Sequence, residues 1–263
     1  MAVGVAVSYC SLEAPFLRHV LRECLKFAAH VVVGYCATLH NGAPDDLTEL
    51  HRAKEAFPDV TFVEYAVDRV DELMDAPSLA NRAAYWPNRA RWECVKALRD
   101  ECDWVLFLDA DEVPEGERMA AFVRQLPAPH ADAPALKLAN YWYLRSPTLR
   151  YRGIEDSAVL APRHRVRTRD AVVLCEQERN DLAREPVLRS VSDGHPTPMI
   201  HHFSWVRSPE DLVTKVRVWS HRGDRDWEAA VRQELARPIT SNHVDVIFGR
   251  AYDTVPAPFG ITV

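Results

Sequence analysis

Apolar and polar positions follow a regular rhythm through the first half of the chain. Residues 3–9 form a valine-rich apolar run of strand length. Leu17, Leu21, Cys24, Leu25 and Ala28 then recur at helical spacing, which predicts one apolar helix face. Residues 31–35 read as a second buried strand, and residues 60–67 as a third after the Pro58-Asp59 break. Between them Asp46, with Glu49 three residues on, has the spacing of a capping box, and Leu47, Leu50 and Phe57 continue the apolar face. Pro87 suits the first turn of another helix running to about residue 101, and residues 104–108 are a fourth apolar run. Strands alternating with helices in this way imply βαβ units and a mainly parallel sheet flanked by helices, an α/β fold. Ligands of such sheets bind beyond the carboxyl ends of the strands, so the residues just after each strand matter most.

The second half is less regular. Residues 135–143 and 199–203 read as strands, and residues 209–221 and 225–236 as helices. The expected organisation is a single domain, with residues 1–113 as the ligand-binding half and residues 114–263 as a second half ending in helices.

Composition narrows the classes. The chain has 263 residues, 48% of them hydrophobic, enough for a substantial core. Its 38 acidic and 32 basic residues give a net charge of −6, which argues against nucleic acid as a partner. No apolar run approaches the roughly 18 residues of a membrane span. The N-terminus has no basic leader and reads as a core strand. The six cysteines contain no CxxC pair, so reduced thiols and a cytoplasmic location are expected. Seven tryptophans are many for this length; most are expected in the core, and Trp142, Tyr143 and Trp205 lie near the segments richest in candidate chemistry.

The segment richest in chemistry is Leu108-Asp109-Ala110-Asp111-Glu112, where a buried strand ends in three carboxylates. In an extended segment Asp109 and Asp111 point the same way, and carboxylates so close repel unless a cation lies between them. A hard divalent ion, Mn²⁺ or Mg²⁺, matches such oxygen ligands and leaves coordination positions for diphosphate. Further on, an apolar strand ends in His201-His202, of which alternation brings one to a given face. Lys215, Arg217, His221 and Arg222 follow as cations that could neutralise a leaving diphosphate.

After three βα units, the Asp109-Ala-Asp111 turn resembles the DxD motif of GT-A glycosyltransferases, especially family-2-like enzymes, over roughly residues 3–222. The resemblance implies a metal-dependent, inverting transfer from a nucleotide sugar (UDP-, GDP- or dTDP-linked) to the hydroxyl of a glycan or other acceptor. It makes Asp111 a metal ligand and Asp109 its partner on metal or ribose, with a C-terminal histidine, His201 or His202, completing the metal shell. Ser8, Tyr9 and Glu13, in the loop after the first strand, would meet the nucleotide. Arg89 and Arg91 would meet its phosphate or base, and Lys215 the diphosphate. Glu155-Asp156-Ser-Ala-Val-Leu-Ala-Pro-Arg163 resembles the family's ED-x-x-L-x-x-R segment, which makes Asp156 the catalytic base and Glu155 the fallback. The loop after the first strand keeps Glu13 but lacks the asparagine that often precedes it in the family.

Two other enzyme classes share parts of this pattern. Asp109-Ala-Asp111-Glu-Val113 also fits the loose nucleophile motif of haloacid-dehalogenase-like phosphatases, but that motif follows the first strand and here three strand-like runs precede it. A sugar-nucleotide nucleotidyltransferase would carry a Gly-rich, basic phosphate-gripping stretch after the first strand, which this chain lacks. A carbohydrate-binding protein without activity would have little use for the intact acidic triplet.

Overall fold

A computed structural model describes residues 1–39, 42–66, 89–128, 135–166, 197–219 and 223–262. The first strand, β1 (Ala2–Tyr9), is followed by α1 (Ala14–Cys24), β2 (His30–Tyr35), α2 (Thr48–Ala56) and β3 (Thr61–Glu64). Helix α3 covers described residues 89–97 and leads to β4 (Cys102–Asp109). β1 lies between β2 and β4, and β3 flanks β2, all parallel. The valine-rich runs form these central strands because helices cover both faces. Val5, Val7, Leu106 and Leu108 enter one core cluster, and Ala6, Val105 and Phe107 the cluster on the opposite face, against Cys94, Val95 and Leu98 of the α3 segment.

The rest of the chain widens the sheet. β5 (Glu112–Pro114) and α4 (Gly116–Val123) precede β6 (Leu136–Leu144), β7 (Ser146–Tyr151) and β8 (Glu155–Pro162). After β9 (Ile200–Trp205) come α5 (Pro209–Val218), α6 (Trp227–Leu235) and β10 (Tyr252–Thr254). The order β10-β7-β6-β8-β4-β1-β2-β3 appends an antiparallel extension to the parallel strands, and β9 runs parallel to β6 and antiparallel to β5. A third core cluster gathers Trp205, Leu149 and Tyr252 with α5 and α6, and Trp142, Trp219, Trp227 and Phe248 pack on it. The expected α/β architecture is thus present, and its antiparallel extension is an addition to the sequence reading.

Local expectations shift in two places. α1 stops at Cys24, so Leu25 is 41% exposed and does not join the apolar face. α2 starts at Thr48 after Leu47, without a side-chain cap on its N-cap residue. Asp46 instead accepts a hydrogen bond from the Thr48 backbone N–H at 2.9 Å, and Glu49 pairs with Arg52, so the capping box is not made. The segment around Glu155, to which the sequence pattern assigns no element, is a strand. Five cysteines, Cys10, Cys24, Cys36, Cys94 and Cys102, are free thiols; Cys175 lies outside the described residues. Among the described residues no helix is long and apolar enough to cross a membrane.

Gly34 marks how closely α3 packs on β2. A Cβ there would lie 2.8 Å from Cys94 Sγ and 3.0 Å from the Ala90 carbonyl oxygen. Gly34→Val should therefore destabilise the fold by about 1–3 kcal/mol, as overpacking does in a close-packed layer. A urea midpoint unchanged from wild type would show that this contact is not tight.

Candidate functional site

The connection after β1 leads to β2 on one side, while β4 lies on the other, so the chain diverges at the carboxyl end of β1. Such a switch point opens a crevice where ligands of open α/β sheets bind. Ser8 stands opposite Asp109 in the β1–β4 register, and the Ala110 N–H donates to the Ser8 carbonyl at 2.8 Å. Ser8 Oγ and Tyr9 Oη are buried there without a hydrogen-bond partner. The chain then makes a short 3₁₀ turn, Ser11–Glu13, in which Glu13 accepts from the Cys10 N–H at 3.3 Å. A small cavity of about 40 Å³ continues the crevice past the ends of β1, β2 and β3, lined by Tyr9, Cys10, Cys36, Thr38, Asp45 and Tyr65. A larger hollow of about 570 Å³, between Trp92, Cys102, Asp103 and Arg163, sits at the amino end of β4. The carboxylates are at the other end of that strand, so the smaller cavity is the one next to the chemistry.

The acidic triplet does not stay extended. β4 ends at Asp109, Ala110 and Asp111 turn, and β5 begins at Glu112, which sends the two aspartates to different partners. Asp109 accepts from Arg91 Nη2 at 2.7 Å, a guanidinium that α3 buries beneath the rim. Asp111 is 2% exposed, and its Oδ2 accepts from the equally buried Arg207 at 2.8 Å. Lys215 Nζ, which donates to Ser204 Oγ at 2.7 Å, lies 3.8 Å from the same oxygen. The second oxygen, Oδ1, is 3.4 Å from His202 Nε2 and has no hydrogen-bond partner. Glu112 accepts from the Asp109 N–H at 2.8 Å and bonds Ser157 Oγ.

Proton affinities follow this layout. Burial pushes Asp111 up, but the close His202 ring and the charges of Lys215 and Arg207 outweigh it and hold the carboxyl well below the usual range. Glu13 moves the other way: burial raises it, and repulsion from Asp111 and Asp109 raises it further. Burial also raises Glu112, against the pull of His202. It lowers Lys215, helped by Arg207 and opposed by Asp111 and Glu13.

The adjacent histidines part company, as neighbours on a strand must. His202 faces Asp111 and lies 3.8 Å from Glu112, with its ring edge-on to Trp142 at 4.8 Å. His201 bonds Tyr143 Oη at 2.8 Å and Glu115 at 3.0 Å, and stacks on the Tyr143 ring. Of the other expected residues, Lys215 reaches the acidic turn, whereas Arg217 pairs with Glu228 on the exposed side of α5. Arg89 pairs with Glu93 at 3.0 Å. Asp156 accepts from the buried Lys137 at 3.1 Å, while Glu155 meets Arg250 at 2.7 Å. His221 and Arg222 lie outside the described residues. Arg207, which the sequence reading passed over, is the closest cation to Asp111. Its one signal is its position, just after an apolar strand and just before the Ser208-capped start of α5.

Among the described residues no three His, Cys, Asp or Glu side chains are arranged to hold a metal ion. Asp111 Oδ1 and His202 Nε2 nevertheless form a donor pair whose 3.4 Å separation is near the roughly 3 Å between neighbouring ligands of an octahedral ion. Magnesium-like ions are commonly held by one or two protein groups, with water and substrate phosphate supplying the rest. The orphaned buried Oδ1 fits such a half-site.

No protein-family model matches the chain, and no curated protein does. Solved structures with a similar chain path include the mannosyltransferase PcManGT from Pyrobaculum calidifontis, in complex with GDP-mannose and Mn²⁺. The two are 16% identical over 62% of this chain, with a TM-score of 0.38, and the match spans 45% of that protein's length. An active-site mutant of LgtC is 13% identical over 80% of this chain and 89% of its own, with a TM-score of 0.41. A CMP-2-keto-3-deoxy-manno-octonic acid synthetase complexed with CTP is 13% identical over 82% of this chain and 97% of its own, with a TM-score of 0.38.

The raised proton affinity of Glu13 has a signed consequence. Between its unfolded value, about 4.3, and its higher folded value, the native state binds more protons than the unfolded chain, so this group's contribution falls as pH rises. Glu13→Gln keeps the acceptor for the Cys10 N–H and removes the charge. The metal-free variant should melt above wild type at pH 7, with the gap closing toward pH 4. A gap that is constant with pH, or of the opposite sign, would contradict the crowding of Glu13 against Asp109 and Asp111.

Proposed function

We propose that this chain is a glycosyltransferase that takes a sugar from a nucleotide-sugar donor and passes it to an acceptor hydroxyl with the help of a divalent metal ion. One observation carries the reading: at the switch point, Asp111 Oδ1 and His202 Nε2 form a buried, unmatched donor pair, on the same turn as Asp109 and with Arg207 and Lys215 against the other Asp111 oxygen. The nucleoside enters along Ser8, Tyr9 and Glu13, where buried hydroxyls lack partners and the small cavity opens. The diphosphate lies over the turn. Asp111 and His202 would hold Mn²⁺ or Mg²⁺, which when bound neutralises the charge that gathers on the departing diphosphate.

The chain's own cations add to that neutralisation. Lys215 is held near Asp111 with a lowered proton affinity, and Arg207 fixes the Asp111 carboxylate so that Oδ1 stays turned toward His202. Both are ordered before the donor arrives, so little reorganisation is left for the reaction step. Asp109 is kept in place by Arg91 and is 34% exposed, open to the ribose or the metal. For inversion, the acceptor hydroxyl needs a carboxylate to take its proton as it attacks the anomeric carbon. Of the pair on β8, Asp156 is turned to Lys137. Glu155 touches Arg250, which lies over Trp142, the neighbour of His202. That run of contacts favours Glu155, the fallback from sequence, over Asp156 as the base.

The donor reading is tested by thermal shift with UDP-, GDP- and dTDP-sugars, each with and without Mn²⁺. One nucleotide should raise the melting temperature of wild type in a Mn²⁺-dependent way, since ligands that bind the native state stabilise it by mass action. Asp111→Asn should lose that increment while the Mn²⁺-independent melt remains cooperative. Equal ligand-induced shifts in variant and wild type would remove Asp111 from the metal site.

A further inference from the structure

Arg250 and Trp142 meet at the edge of the acidic turn in a cluster that the donor chemistry does not use. Arg250 comes from the segment before β10. Its backbone is fixed by paired bonds with Asp245: the Asp245 N–H to the Arg250 carbonyl at 3.0 Å, and the Arg250 N–H to Asp245 Oδ2 at 3.0 Å. Gly249, with φ at +70°, makes the reversal that this requires. The turn presents the guanidinium to three rings, Trp142 at 5.0 Å, Tyr151 at 5.0 Å and Phe248 at 4.9 Å. Trp142 pairs with His202 in the β6–β9 register, so the cluster adjoins the donor pair directly.

Two N–H groups in this cluster are unused. Trp142 Nε1 and Arg250 Nη1 are enclosed and have no hydrogen-bond partner. Folded proteins leave few such groups, because an enclosed donor that has given up water without a replacement is costly. Glu155, which pairs with the other arm of the guanidinium, is a third exposed, and partly exposed pairs of this kind hold weakly. The charges fix the class of ligand. Arg250 is already matched by Glu155 at 2.7 Å, so the cluster is neutral overall, and a carboxylated or phosphorylated sugar would bring its charge against Glu155. A neutral hydroxyl oxygen accepts from both donors without that repulsion, and the C–H faces of a sugar ring suit the exposed parts of Tyr151 and Phe248.

We propose that Trp142 and Arg250, beside Glu155, form the acceptor subsite and take a neutral sugar by the hydroxyl next to the one that is glycosylated. The proposal rests on the glycosyltransferase reading above. It gives Glu155 the attacking hydroxyl and gives the two N–H donors its neighbour, so that the acceptor ring is fixed at two adjacent oxygens.

Saturation-transfer NMR on the full chain, with Mg²⁺ and a nucleoside diphosphate present, tests this with methyl glycosides of glucose, galactose and mannose against methyl glucuronide. Wild type should give transfer to at least one neutral hexoside and little to the glucuronide. Trp142→Phe keeps the ring and loses the N–H, and Arg250→Lys loses the fork; each should weaken hexoside binding roughly tenfold, the loss of a hydrogen bond to a polar ligand. Nucleoside diphosphate affinity, measured on the same samples, should fall by less than hexoside affinity does. If Arg250→Lys lowers the melting temperature, Trp142→Phe alone decides. No hexoside signal on wild type, stronger binding of the glucuronide, or hexoside binding indifferent to Trp142→Phe would overturn the subsite. Hexoside binding that depends on Trp142 and Arg250 in a chain that binds no nucleoside diphosphate would sustain the subsite and overturn the donor reading.

Discussion

Four carboxylates, Glu13, Asp109, Asp111 and Glu112, crowd the carboxyl ends of β1 and β4, and the structure at this end of the sheet is organised around their mutual repulsion. Each is answered differently. Asp109 receives Arg91 from α3, and Asp111 receives Arg207 from the loop after β9. Glu112 is bonded by a backbone N–H and by Ser157, whereas Glu13 is left with a raised proton affinity. The compensation is incomplete: Asp111 Oδ1 stays buried with no hydrogen-bond partner, 3.4 Å from His202 Nε2. A buried ion pair such as Asp111–Arg207 is a weak source of stability. Its stronger effect here is geometric, because it fixes which carboxylate oxygen faces the crevice.

The two parts of the sheet divide the labour. The parallel strands supply the switch point, with its hydroxyls and acidic turn. The antiparallel extension and the helices packed on it supply His202, Lys215, Trp142 and Arg250. β5 joins them, since Glu112 and Val113 pair with His202 and His201. The acidic turn is therefore held from both sides. A change in how β9 packs would move His202 relative to Asp111 without touching either residue.

How much of this was legible in the sequence depended on range. The central strands were readable because burial on both faces makes them continuous apolar runs, and the turn was readable because its carboxylates follow such a run directly. The division between His201 and His202 follows from strand alternation, but alternation cannot say which one faces Asp111. Arg207 looked like an ordinary loop residue; its meaning comes from a contact 96 positions away. The β8 carboxylates were harder still. The register shifts between Leu138 and Ala139, so Ala139 pairs with Asp156 and Asn140 with Glu155, and no local pattern announces which of them turns toward Trp142 and Arg250. The pairing of β6 with β7, β8 and β9 is similarly long-range.

In the proposed function Asp111 and His202 are half of a metal site, and a diphosphate supplies the other half. Free Mn²⁺, followed by its electron paramagnetic resonance signal, measures this directly. Metal affinity should be weak for the chain alone and rise at least tenfold when the matching nucleoside diphosphate is present. The nucleotide should tighten by the same factor when Mn²⁺ is present, because coupling between two ligands is reciprocal. Mn²⁺ affinity that exceeds that of the free nucleotide for the metal by no measurable amount, and does not change in His202→Ala, would contradict the account.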